Sequence, residues 1–149
     1  MATHGLPAWP WAGTATATLP PAESLLLEAI RRWSAAAASG AAPLAASRLP
    51  FIAEDADAAA APLDALLHAM ATTGLPPIGC LLCPCVTPGE ADILLAAALA
   101  QQGWRAQALG MLLRHLPLSA AGPALVQALE LGTTLRAAGL MLRNPLRSR

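Results

Sequence analysis

Lysine and tyrosine are absent from this chain, and a single phenylalanine occurs in 149 residues. Charged residues make up 12%, about half the share usual in soluble domains. Nine arginines balance nine acidic residues, so the formal net charge is zero and the whole chain offers no electrostatic footprint for nucleic acid. With aromatics at 3%, a stacking platform for single-stranded bases is missing too. No nucleic-acid partner is expected. The local exception is the tail, with Arg136, Arg143, Arg147 and Arg149, and four such charges are ordinarily just solvated. An all-arginine set of bases beside abundant alanine reads as coding from a GC-rich genome rather than as a functional signal.

Long uninterrupted hydrophobic runs are also lacking. The longest stretch without Asp, Glu or Arg runs from Ala65 to Gly89, but Pro76, Pro77, Pro84 and Pro88 break it, so no membrane-spanning helix is expected. Residues 1–20 carry no basic residue ahead of an apolar core and are interrupted by Pro7, Pro10 and Pro20, which argues against a secretory signal. Only three cysteines occur, an odd number that excludes a fully paired set within one chain, so a reducing cytoplasm is the expected setting. A phosphate-cradling glycine motif and a G-x-S-x-G elbow are absent, and Glu54, Asp55 and Asp57 lack the glycine and terminal glutamate of a calcium loop.

What the chain has is apolar character without bulk. Hydrophobic residues reach 56%, of which alanine alone supplies about a quarter of the chain. Small side chains let helices approach closely, so the composition favours tight helix packing over a greasy core. The length fits one domain. A surface so poor in charge suits cover by another protein or by a second copy of the chain, with a membrane surface a less favoured occupant.

Helical signals recur from residue 20 onward. Pro21, Glu23 and the stop at Gly40 frame a helix over Pro21–Ser39, whose stripe is Leu26, Ile30, Trp33 and Ala37, with Glu28 and Arg32 paired on its surface. A short helical turn at Pro43–Arg48 is expected to end at Leu49-Pro50. A second helix over Pro62–Thr72 presents Leu63, Leu66, Leu67 and Met70 on one face, with Asp64 and His68 on another. Thr87, Pro88 and Glu90 form a capping box opening a third helix to about Gln102. A fourth, Trp104–Leu116, is expected to bury Leu109, Leu112, Leu113 and Leu116. A fifth, capped by Ser119, is expected to bury Leu125, Val126 and Leu129. The expectation is an all-α, single-domain bundle of about five helices over residues 20–142, with an irregular arm at 1–19 and a basic tail at 143–149. The alternation Thr14–Thr18 has no evident strand partner, so the arm is read as flexible, with Trp9 and Trp11 available for docking. Pro21-Ala-Glu-Ser and Pro88-Gly-Glu-Ala echo each other, which follows from shared helix-start rules rather than from a repeat.

The candidate chemistry lies in Gly79-Cys80-Leu81-Leu82-Cys83-Pro84-Cys85. A C-x2-C pair is the usual half of a zinc site, and Cys85 adds a third thiolate. The fourth ligand would be His68, with His115 the alternative and His4 the least favoured. Zinc is the first choice of metal, ahead of an iron–sulfur cluster or Cu(I). Two other readings stand beside it. The apolar neighbours Ile78, Leu81, Leu82 and Val86 suit thiols buried as small hydrophobes. A thiol near a helix start, Cys85 above all, suits a redox or regulatory role. Asp64 with His68 has the spacing of an ordinary surface pair. The function expected from the sequence is therefore a non-enzymatic partner-binding or accessory subunit with a cysteine-cluster metal clip. The alternatives are a thiol-based regulator using Cys80, Cys83 and Cys85, or a peripheral membrane protein.

Overall fold

Proline and glycine cut the chain into helices whose ends they mark. The computed structural model describes residues 11–143, and among these it contains six α-helices and no strand: α1 Pro21–Ser39, α2 Pro43–Ile52, α3 Ala60–Thr73, α4 Pro88–Gln101, α5 Arg105–Leu112 and α6 Leu118–Ala137. The all-α, single-domain architecture is as the sequence implies, with one helix more. None of the described helices is long and apolar enough to cross a membrane.

The additional helix is α2. Pro50 does not end it, because it lies near the C-terminal end, where its missing N–H costs one ladder bond. Pro50 is itself buried beside Phe51, so packing holds the last turn together. In α3, Pro62 falls in the first turn, where no intrahelical N–H partner is needed, and a short 3-10 turn at Asp57–Ala59 leads in.

Helix α4 forms the centre. Every residue from Gly89 to Gln101 is buried, with the run from Ile93 to Ala100 apolar on all sides and Glu90, Asp92 and Gln101 the polar exceptions. It packs on α6, α5 and α1; α1 lies along α2, and α3 packs on α6. Trp33, Phe51, Leu26, Ile30, Leu63 and Leu99 are among the largest fully buried side chains. Each contributes roughly 1.5–3 kcal/mol relative to exposure.

Expected burials differ on three helices. Helix α6 faces the core through Ala121, Ala124, Ala128, Leu131, Gly132 and Leu135, leaving Val126 exposed and Leu125 and Leu129 only partly covered. The small residues win because α6 lies close against α4: a Cβ on Gly132 would sit 2.7 Å from Gln101 Cα. Its first residue is Leu118 after Pro117, and no side chain of Ser119 caps it. Helix α5 is shorter than expected, so Leu113 falls in the following turn and is exposed while Ala108, Leu112 and Leu116 are buried. On α1 the stripe closes on Ala36 and not on Ala37.

Candidate functional site

The site is assembled from the loop between α3 and α4, one turn of α1 and the N-terminal arm. Thr87 and Glu90 make the capping box reciprocally: Glu90 N–H donates to Thr87 Oγ1 at 3.1 Å, and Thr87 N–H donates to Glu90 Oε1 at 2.8 Å. The same carboxylate then does more than cap. Arg31 of α1 donates from Nε to Glu90 Oε2 at 2.7 Å and from Nη2 to Oε1 at 3.0 Å, and Gly79 N–H adds a bond to Oε2 at 3.1 Å. Arg31 is 3% exposed and Glu90 0%. Burial pushes the Glu90 carboxyl up, but the bonds from Arg31, Thr87 and Gly79 outweigh it and hold the group below the ordinary glutamate value. The Glu90 bond in turn raises Arg31 against the opposing effect of burial.

The guanidinium carries the cysteine loop on its far side. Nη1 donates to Cys83 O at 2.8 Å and Nη2 to Cys85 O at 2.9 Å. Gly79 is the residue that lets it approach, since a Cβ there would lie 3.0 Å from Arg31 Nη2 and 3.2 Å from Cys83 Cβ. The arm supplies the other support. Thr16 N–H donates to Pro84 O, Val86 N–H to Thr14 O and Gly13 N–H to Val86 O, with Ala15 and Cys85 facing each other as an isolated antiparallel bridge. The alternating Thr-Ala segment thus has a partner after all. Residues 11–19 are docked, and Trp11 packs on the core. Trp9 and His4 lie outside the described residues.

Held this way, Cys80–Cys83 forms a tight turn. Cys83 N–H donates to Cys80 O at 3.1 Å, Cys80 N–H donates to Cys83 Sγ at 3.1 Å, and the two sulfurs stand 2.8 Å apart as free thiols. The hydrogen bond with Cys83, helped by the Leu82 and Cys83 backbone and the Arg31 charge, lowers the Cys80 thiol against the opposing effect of burial. The same bond raises Cys83. The two sulfurs share one hydrogen bond, in which either can be the donor.

The buried-thiol reading does not survive. Cys80 and Cys85 are exposed and Cys83 is half-buried; Leu81 and Leu82 point outward too, and of the apolar neighbours only Val86 is buried. Apolar sequence did not mean interior here because prolines and the arm keep the loop on the surface. His68 is directed elsewhere: its Nε2 lies 3.3 Å from Asp64 Oδ1, and its ring meets Trp33 edge-on at 5.0 Å. Asp64 also accepts from Trp33 Nε1 at 2.8 Å, so this pair braces α1 against α3. His115 Nε2 lies 2.8 Å from Asp92 Oδ2. Among the described residues no three His, Cys, Asp or Glu side chains come together as a group that could hold a metal. The structure therefore unites Cys80 with Cys83 and leaves His68 and His115 in other contacts.

Arg31 is the residue that sequence reading missed. It falls one turn after Leu27 on the face that also carries Glu23, and all three are buried. In a chain with so few charges, an arginine in line with buried positions was the available signal. No protein-family model, curated protein or solved structure matches this chain.

Proposed function

We propose that this protein is a thiol–disulfide switch, with Cys80 as attacking thiol and Cys83 as resolving thiol, working on a partner protein in a reducing cytoplasm. The observation that carries this reading is the pair of sulfurs 2.8 Å apart, one exposed and one half-buried, in a loop whose Cys83 and Cys85 carbonyls are pinned by a buried arginine. A C-x2-C turn that brings its two sulfurs into contact can close to a disulfide with a small movement of either side chain. The zinc clip expected from the sequence would need further ligands beyond these two sulfurs, drawn from Cys85 or from a second copy.

The chemistry is ordinary thiol–disulfide exchange. Cys80 thiolate attacks one sulfur of a partner disulfide, forming a mixed disulfide and releasing the partner's other sulfur as a thiolate. Cys83 gives up its proton and attacks Cys80 Sγ, forming the Cys80–Cys83 disulfide and releasing the second partner thiolate. Two electrons pass from this chain to the partner, and both partner sulfurs leave as thiols once protonated. Run backwards, the same steps oxidise a partner dithiol.

Mass spectrometry of reduced protein treated with hydroxyethyl disulfide tests the reading. The native chain should lose two hydrogens, and tandem spectra should place the bond between Cys80 and Cys83. Cys85→Ser should behave like the native chain; Cys80→Ser and Cys83→Ser should form no internal disulfide of that kind. Stoichiometric zinc in protein purified without chelators, together with thiols that resist oxidation until the metal is removed, would replace this reading with the metal clip.

A further inference from the structure

The segment from Cys83 to Val86 is held by its carbonyls in alternation. Cys83 O and Cys85 O accept from the Arg31 guanidinium at 2.8 and 2.9 Å. Pro84 O accepts from Thr16 N–H at 2.8 Å and from Thr16 Oγ1 at 3.3 Å, and Val86 O accepts from Gly13 N–H at 2.9 Å. Val86 N–H returns a bond to Thr14 O at 2.9 Å, so the arm lies along the thiol loop as a short antiparallel pair. We infer that this pairing is a redox-linked strap: closing the Cys80–Cys83 disulfide tightens residues 13–16 of the arm on the loop, and reduction loosens them. This role rests on the thiol–disulfide reading above, and it places the readout of that switch in a segment 68 residues away along the chain.

The strap can respond because it is weak. Among the described residues it has a single bridge, Ala15 opposite Cys85, and both are exposed. Two-stranded pairs are marginal without further cover, and exposed backbone bonds open at the low end of the stability range. The ends of the arm are better held, since Trp11 packs on the core and Leu19 is buried in it. The middle can therefore part from the loop while the helices stay packed.

The path from sulfur to strap is short and stiff. Cys83 is joined directly to Pro84, which accepts both bonds from Thr16. The proline ring fixes its own φ and restricts Cys83 to extended conformations. With the arm docked, Cys80 and Cys83 already stand in a tight turn with their sulfurs in contact. A disulfide fits that state, whereas in the undocked loop it removes freedom that the reduced chain retains. The bond thus disfavours undocking, and by linkage docking favours the bond by the same factor.

The test uses the full chain carrying Cys85→Ser, in which Cys80 and Cys83 are the only thiols. Amide hydrogen exchange is compared between the reduced form and the disulfide form made with hydroxyethyl disulfide. Exchange at Gly13, Thr16 and Val86 should slow about fivefold on oxidation. The equilibrium constant for oxidation is then measured in glutathione buffers, where each Cys80–Cys83 bond formed consumes one glutathione disulfide and yields two glutathione thiols. Thr16→Pro removes both bonds to Pro84 O at a tolerant position: Ala15 before it is extended, at φ −63° and ψ 128°, and Thr16 opens the 3-10 turn Thr16–Thr18. This variant should lower the constant about fivefold, which is about 20 mV toward a more oxidising potential. Exchange that is unchanged or faster on oxidation overturns the strap and leaves the switch intact, as does a Thr16→Pro constant equal to that of its parent. The exchange comparison needs no change in the arm, and it decides alone should the proline variant unfold. Failure of the Cys80–Cys83 bond to form in any of these buffers sinks the switch and the strap with it.

Discussion

At the scale of the residue, Cys80 and Arg31 decide how the loop behaves. The Cys80 thiol is lowered chiefly by its bond with Cys83. In Cys85→Ser protein, the rate of Cys80 alkylation against pH should show a midpoint below that of a free thiol, and adding Cys83→Ser should shift the midpoint upward. An unchanged midpoint would mean that the neighbouring sulfur does not tune it. Arg31 anchors the site from beneath. Replacing it by methionine leaves the Glu90 carboxylate buried without its counter-charge, which costs about 3–5 kcal/mol. Urea unfolding should report that loss, and hydrogen exchange at Gly79 and Thr87 should quicken in the same variant. The cysteines stood out in the sequence because they cluster. Arg31 did not, because burial of a single charge is decided by a partner 59 residues away.

At the scale of the element, helix starts were the most legible feature. Thr87, Pro88 and Glu90 act as the capping box that their spacing implies, and α1 runs over the expected Pro21–Ser39. Both follow from local rules: a first turn has unpaired N–H groups that a nearby side chain can satisfy. Thr87→Ala should therefore cost about 1 kcal/mol in chemical unfolding. Buried faces were harder to read where alanine is abundant, since alanine marks neither inside nor outside. Val126 and Leu113 were expected in the core and are exposed, while Gly132 lies at the α4–α6 contact and Ala128 is buried. Gly132→Ala tests this closeness. The added methyl meets the Gln101 backbone, and a loss of about 1–3 kcal/mol should appear as a lower urea midpoint.

At the scale of the whole molecule, polar clasps tie distant segments to the central helix. Gln101 donates to Gly132 O and Leu140 O and accepts from Leu142 N–H, Gln102 donates to Leu142 O, and Arg143 N–H donates to Glu23. They fix the segment after α6 across α4 and the start of α1. Acid should loosen the whole through Glu90. Its folded carboxyl titrates below the unfolded one, so the unfolded chain binds the proton first as pH falls. The stabilisation is complete at neutral pH and is lost from the ordinary glutamate range, near about 4.3, downward through the folded value. Urea midpoints followed from about pH 7 to about 3 should drop over that interval, and Glu90→Gln, weaker throughout, should show a flatter curve. Parallel curves would place the acid sensitivity elsewhere.

The sequence by itself determined that the chain is helical, where most helices begin, and that its thiols are gathered in one proline-rich loop. These are consequences of near neighbours: periodicity, caps and punctuation act over a few residues. Tertiary structure alone decided that α2 continues through Pro50, that α6 uses its small residues to meet α4, and that the arm pairs with the loop. It also decided how that loop is held. Two sulfurs face each other at the surface because Arg31, Glu90 and Thr16 hold the backbone from three separate parts of the chain. His68 and His115 are engaged elsewhere for the same reason, since the helices that carry them are set by packing and not by distance along the sequence.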